Sequence, residues 1–214
     1  MVDNKMLSYW ETHAKRDGAT KEAMMLDKNA SDFSEKERDE ILSILPDVTG
    51  LDMIELGSGI GRFTPILAKK AKSVIAVEFV GDFTKENERV NGHMDNIKFM
   101  TKDVLELELP ENSLDMVFSN WLMMYFTDEE VLLFSNKVLK WLKPGGHFFF
   151  RESCYRQSGT RSHTESFNPT IYRKPLDYTN LVTSPVVQNE KFVQGLDIIF
   201  FRAIESGGIT FDES

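Results

Sequence analysis

The sequence predicts an α/β fold: a mostly parallel β-sheet with helices on both faces. Three observations carry this expectation. Short apolar, β-branched runs alternate with helical stretches at the spacing of strand–helix–strand units. A glycine-rich turn, with Gly57, Gly59 and Gly61, directly follows the first apolar run. Acids stand at the second and third runs' carboxyl ends (Glu78, Asp103), where open sheets of this kind bind ligands.

The elements follow in order. Residues 1–16 predict a helix, and 34–45 a second, amphipathic one, started by Ser34 with Glu37 three residues on, the pattern of a capping box. "LDMIEL" (51–56) predicts the first strand, 61–71 the helix after the glycine turn, and "SVIAVEF" (73–79) a β-branched second strand. A polar helix over 82–91 leads to strands at "IKFM" (97–100) and "LDMVFS" (114–119). Residues 128–142 predict a helix stopped by "KPGG", and "HFFFRE" (147–152) a fifth strand. One strand of a closing hairpin is expected within 190–206.

Size and composition bound the function. A chain of 214 residues, 41% hydrophobic and 28% charged, suits one globular domain with a substantial core. Its net charge of −9 argues against a general nucleic-acid binder. No apolar run has the roughly 18–20 residues of a membrane span, and the N-terminus does not read as a signal peptide. The single cysteine, Cys154, excludes an internal disulfide and fits the cytoplasm. One segment opposes the overall charge: residues 151–174 hold five cations (Arg151, Arg156, Arg161, Arg173, Lys174) against two acids. Such a segment suits a small anionic ligand, or is a solvated loop.

The glycine turn frees the backbone to approach a ligand, and the next helix offers free N–H groups. A dinucleotide fingerprint needs its third glycine at position 62, where Arg62 stands. Glu78 is placed to accept both hydroxyls of a ribose, and Asp103 an adenine amino group. The alternatives are a surface acid and a turn-forming Asp. In "SNWLMMYF" (119–126), Ser119 and Asn120 end the fourth strand. Trp121 and Tyr125, a helical turn apart, would share an aromatic face able to hold an ammonium group, with Leu122, Met123, Met124 and Phe126 packed behind.

Glycine turn and acids together resemble the Rossmann-like class I S-adenosylmethionine-dependent methyltransferases. The resemblance implies Glu55 near the methionine part of the cofactor, Glu78 on the ribose and Asp103 on the adenine. Its full cofactor set is Glu55, Gly57, Ser58, Gly59, Gly61, Arg62, Glu78, Phe79, Asp103, Val104, Ser119 and Asn120.

The stretches "YWETHA" (9–14), "EAMMLDKNASD" (22–32), "ELGSGIGRFT" (55–64), "FSNWLMMYF" (118–126), "WLKPGGHFFFRESCYRQSG" (141–159) and "NPTIYRKPLDY" (168–178) are similar to one family. That family is the phosphoethanolamine N-methyltransferases of plants and nematodes, matched in their first domain. The resemblance implies S-adenosylmethionine as cofactor, a small phospho-base as substrate, and monomethylation of phosphoethanolamine on the way to phosphocholine. It implies Tyr9, in a helical lid, and Tyr125 as catalytic and amine-binding residues, with Trp121 beside them. Tyr172, Arg173 and Tyr178 would hold the phosphate. Arg151 is an outside candidate, otherwise paired with Glu152 or another acid. His13, one turn from Tyr9, is a further candidate base; His93, His147 and His163 carry no signal.

The expected organisation is a single domain over 1–206: lid 1–45, cofactor core 46–152, substrate segment and final strand 153–206, and a tail 207–214. The family's last edge strand is expected to be missing. A monomer is favoured, without nucleic-acid or membrane partners. The alternatives are a truncated cofactor-binding isoform with little turnover, and a methyltransferase for another small molecule.

Overall fold

The computed structural model describes residues 4–20, 30–154, 170–184, 186–188 and 193–195. Helix α1 (Asn4–Asp17) and helix α2 (Ala30–Ile44) precede a five-stranded sheet. Its strands are β1 (Asp52–Leu56), β2 (Ser73–Glu78), β3 (Ile97–Thr101), β4 (Leu114–Asn120) and β5 (Leu142–Arg151). The order is β3-β2-β1-β4-β5, and every pairing is parallel. Helices α3 (Thr64–Ala68), α4 (Gly81–Asn91) and α5 (Asp128–Trp141) make the crossovers. Helix α6 (Pro175–Thr183) follows, and β6 (Val186–Gln188) pairs antiparallel with β7 (Val193–Gly195).

The three central strands, β2, β1 and β4, are largely apolar and buried because both faces are covered. Side chains alternate across the sheet, so neighbours enter different cores. Ile54 and Val117 pack with Phe134, Trp141, Tyr178 and Val182 on the side of α5 and α6. Met53, Met116 and Phe118 pack with Ile41, Phe63 and Leu67 on the side of α2 and α3. Helix α1 buries Trp10 and Ala14 against Val80 and Phe83 of α4 and its approach.

Several boundaries differ from expectation. The helix expected to begin at Ser34 starts at Ala30, so Ser34 lies inside it. Thr127 and Glu130 form the capping box instead, at the start of α5. The helix expected over 61–71 shrinks to Thr64–Ala68, because residues 59–63 are spent on the glycine turn. The "KPGG" segment does not stand outside the sheet. Leu142 already pairs with Leu114, and a register shift before Met116 takes up the glycines. Residues 196–214, with most of the expected final strand and all of the tail, lie outside the described residues, as does His163.

Candidate active site

The glycine turn is fixed from below before any ligand is considered. The N–H groups of Gly57 and Ser58 both donate to the Val77 carbonyl, at 2.9 and 3.0 Å. Gly57, Gly59 and Gly61 take φ of 70°, 54° and 85°, the left-handed region that side chains disfavour. Gly61 has a second constraint, since a Cβ there would overlap the side chains of Asn87 and Asn91. Its place is helix packing; it does not line the cavity.

That cavity opens at the carboxyl ends of β1, β2 and β4, where ligands of such sheets bind; the space it delimits, about 750 Å³, includes open solvent. Of the residues singled out in the sequence, it is lined by Glu55, Gly57, Ser58, Gly59, Arg62, Glu78, Phe79, Asn120, Trp121 and Tyr125. Trp10, Leu56, Phe63, Phe83, Phe118 and Leu122 also line it and were not foreseen. Trp10 had a usable signal, a large aromatic on the buried face of helix α1 beside Tyr9. Its ring sits edge-on to those of Tyr9 and Tyr125, each 5.5 Å away, and 6.4 Å from Phe83.

Glu78 is buried, and its carboxylate binds the turn it faces. Oε2 accepts from Gly59 N at 2.9 Å, and Oε1 from Phe79 N and Val80 N at 3.0 Å each. A carboxylate offers about four lone-pair sites, so this one keeps acceptor capacity toward the cavity. Burial raises its pKa, against the pull of the three N–H groups. Glu55 is equally buried, and burial pushes it up to about 8 although Thr64 donates to it at 2.5 Å. Behind Glu55, Asn87 donates to Thr64 at 3.0 Å, and Asn91 to Asn87 at 2.9 Å. This buried polar chain joins the floor of the cavity to α4.

Glu37 was expected only as a capping partner. Its carboxylate instead accepts from Arg62 Nη2 and Arg151 Nη1, both at 2.6 Å. Arg151 therefore pairs with Glu37 and not Glu152, and its guanidinium lies 5.0 Å from the Trp121 ring centre. The Trp121 and Tyr125 pair is not helical: Trp121 has φ 58°, and only Met123–Tyr125 form a short 3-10 turn. Both rings still reach the cavity wall, but one face of Trp121 is taken by Arg151.

Other expectations are not met by the geometry. Asp103 accepts from Leu105 N at 2.8 Å, the turn-forming alternative, and neither it nor Val104 lines the cavity. Val104 is core. Ser119 is fully buried inside β4, its hydroxyl without a partner among the described residues. Arg173 is only 5% exposed and holds Asp128 and the carbonyls of Met123 and Phe126. Its guanidinium faces the Tyr178 ring at 5.4 Å, and Tyr178 is itself core. Arg173 and Tyr178, expected at the phosphate, are enclosed and do not line this cavity. Tyr172 is half-buried and outside the cavity lining. Tyr9 packs on His13 at 4.2 Å, and buried His13 uses Nδ1 on the Tyr9 carbonyl, at 2.9 Å.

Among the described residues no group of acids, histidines and Cys154 is arranged to hold a metal, and no helix is long and apolar enough to cross a membrane.

Comparison with known proteins places this arrangement. A model described as a methyltransferase domain matches residues 54–150. Phosphoethanolamine N-methyltransferase 3 of Arabidopsis thaliana is 49% identical over 176 residues, 81% of this chain and 35% of that protein. Phosphoethanolamine N-methyltransferase 1 of Triticum aestivum is 51% identical over 177 residues, again 81% and 35%. The chain thus spans about a third of the length of these relatives. The structure of Haemonchus contortus phosphoethanolamine N-methyltransferase 1, in complex with phosphoethanolamine and S-adenosylhomocysteine, superposes with a TM-score of 0.81 at 34% identity. It covers 87% of this chain, which covers 41% of it.

Proposed function

The chain is a homologue of the phosphoethanolamine N-methyltransferases with a class I methyltransferase fold, and we propose that it methylates the nitrogen of phosphoethanolamine using S-adenosylmethionine. One observation carries the reading. A single cavity is lined on one side by the glycine turn with Glu55 and Glu78, and on the other by Trp10, Trp121 and Tyr125. The first side suits a nucleoside with a charged amino-acid arm; the second suits an amine.

When bound, S-adenosylmethionine supplies an electrophilic methyl group on a sulfonium. The amine lone pair forms the new N–C bond as the S–C bond breaks, and the amine gives up a proton. The residues supply binding and alignment. The acceptor capacity left on Glu78 takes ribose hydroxyls, and the glycine turn admits the cofactor close to the backbone. Tyr9 and Tyr125, brought together through Trp10, address the amine and its proton. The aromatic wall attracts the ammonium form through its ring faces. Phosphate recognition falls to Tyr172 and to the cations of residues 151–174 other than Arg173. The single cysteine supports a reducing, cytosolic setting.

The test is methyl transfer to phosphoethanolamine, its mono- and dimethyl forms and free ethanolamine. The expected result is a first methylation of phosphoethanolamine and little turnover of ethanolamine. Equal rates on both would remove the phosphate from the reading, and no turnover with any acceptor would remove the reaction.

A further inference from the structure

Two stretches, 118–126 and 147–154, carry much of the family resemblance, yet most of their residues have no part in the cofactor or substrate reading. The structure brings them together. The turn after β4 begins with Trp121 in a left-handed conformation, pinned by a bond from its N–H to the Arg151 carbonyl at 2.8 Å. It ends with Tyr125 on the cavity wall. Within this stretch only Met123–Tyr125 form a 3-10 turn, too short to fix side chains by its own hydrogen bonds.

The fixing comes from outside, on two sides. Three successive N–H groups, of Leu122, Met123 and Met124, donate to the carboxylate of Glu152 at 3.1, 2.9 and 3.1 Å. On the other side Arg173 donates to the Met123 carbonyl at 3.1 Å and the Phe126 carbonyl at 2.6 Å. Ile171 N donates to the Met124 carbonyl at 2.7 Å. An acid thus gathers the donors of the turn, and a base serves its acceptors. Neither Glu152 nor Arg173 lines the cavity.

We infer that Glu152 and Arg173 are positioning residues, a two-sided clamp that sets Tyr125 and Trp121 against the substrate. The inference rests on the proposed role of Tyr125 in addressing the amine. Charge-assisted hydrogen bonds are the stronger kind, and they hold the backbone of a turn that has little regular structure. A displacement of about 1 Å at a reacting group costs on the order of a hundredfold in rate, so the clamp acts on turnover more than on binding.

The experiment has two arms, both on the full chain. In the first, hydrogen exchange compares the wild type with Glu152→Gln, which keeps the shape of the side chain and removes its charge. Faster exchange confined to residues 121–126 is expected; unchanged exchange there, or faster exchange across the whole sheet, overturns the clamp. In the second, Glu152→Gln and Tyr125→Phe form a double-mutant cycle in the methyl-transfer assay. Glu152→Gln is expected to lower kcat by about tenfold or more, with cofactor Kd within about threefold, and to cost far less when Tyr125 is already Phe. Additive losses overturn the positioning role. Full activity in Tyr125→Phe overturns the role of Tyr125 and with it the positioning role, while the exchange arm still decides the clamp. Arg173→Lys, which keeps the charge but loses the planar fork, repeats both arms from the other side.

Discussion

At the residue scale, two side chains show how far type and position fall short of role. Glu78 stands where an acid was expected and meets the cavity, but in the ligand-free fold its oxygens hold three backbone N–H groups. Glu78→Ala should therefore act twice. It should weaken S-adenosylmethionine binding by roughly tenfold or more, and destabilise the fold by about 1–3 kcal/mol through orphaned N–H groups. Titration calorimetry and urea unfolding measure the two effects separately; lost affinity at unchanged stability would contradict the hydrogen-bond geometry. Arg173 runs the other way. A basic residue beside Tyr172 reads from sequence as a phosphate ligand, yet it is buried against two carbonyls and Asp128. Arg173→Ala should cost about 1–3 kcal/mol for the Phe126 carbonyl it leaves without a donor, since the Met123 carbonyl still accepts from Phe126 N. In the same variant the KM ratio of phosphoethanolamine to free ethanolamine should stay near its wild-type value. A KM rise for phosphoethanolamine alone, in a protein of unchanged stability, would return Arg173 to the phosphate.

At the scale of elements, α2 is held by more than its apolar face. Ile41 seats it in the core one turn beyond Glu37, and Glu37 ties it to both Arg62 and Arg151. Glu37 and Arg62 are nearly enclosed, while the Arg151 side chain keeps 32% exposure. Glu37→Gln leaves two guanidiniums sharing no carboxylate. The expected loss is about 3 kcal/mol, the low end for breaking a buried pair, because Arg151 stays partly hydrated. Thermal unfolding checks this, and the second substitution Arg151→Ala should cost clearly less in the Glu37→Gln background. The strands were legible in the sequence because two buried faces make continuous apolar runs. The helix starts were less so. Ser34 with Glu37 satisfies the pattern of a capping box, but a pattern four residues long does not say which acid will find an arginine from 114 residues away. The same limit hid Glu152. Its three donors lie about 30 positions earlier, and nothing local marks a glutamate at a strand end as a backbone clamp.

At the scale of the whole molecule, the cavity sits where the open parallel sheet predicts, lined by two buried acids, Glu55 and Glu78, with a third raised acid, Glu152, outside the lining. Burial pushes Glu55 up to about 8 and Glu152 to about 7, and raises Glu78 as well, all from an ordinary value of 4.5. Between about pH 4.5 and 8 the folded chain thus binds more protons than the unfolded chain, and stability should fall as pH rises through that window. The half-buried acids Asp52, Asp115 and Glu86, paired with Lys72, Lys143 and Arg89, have lowered values and act in the opposite sense, below the ordinary carboxylate range. Thermal unfolding of the ligand-free protein from pH 5 to 8.5 reads the sum; a melting temperature that climbs with pH would contradict it. With S-adenosylmethionine in the cavity as proposed, the balance at Glu55 should reverse. A sulfonium and its ammonium group favour the carboxylate, so binding near neutral pH should expel a proton, and affinity should rise with pH by up to about tenfold per unit for one proton. Calorimetry in two buffers of different ionisation heat counts that proton directly. Glu55→Gln, which cannot ionise, should bind with nearly pH-independent affinity. A wild type that already does so would show that the charge of the cofactor lies elsewhere in the cavity.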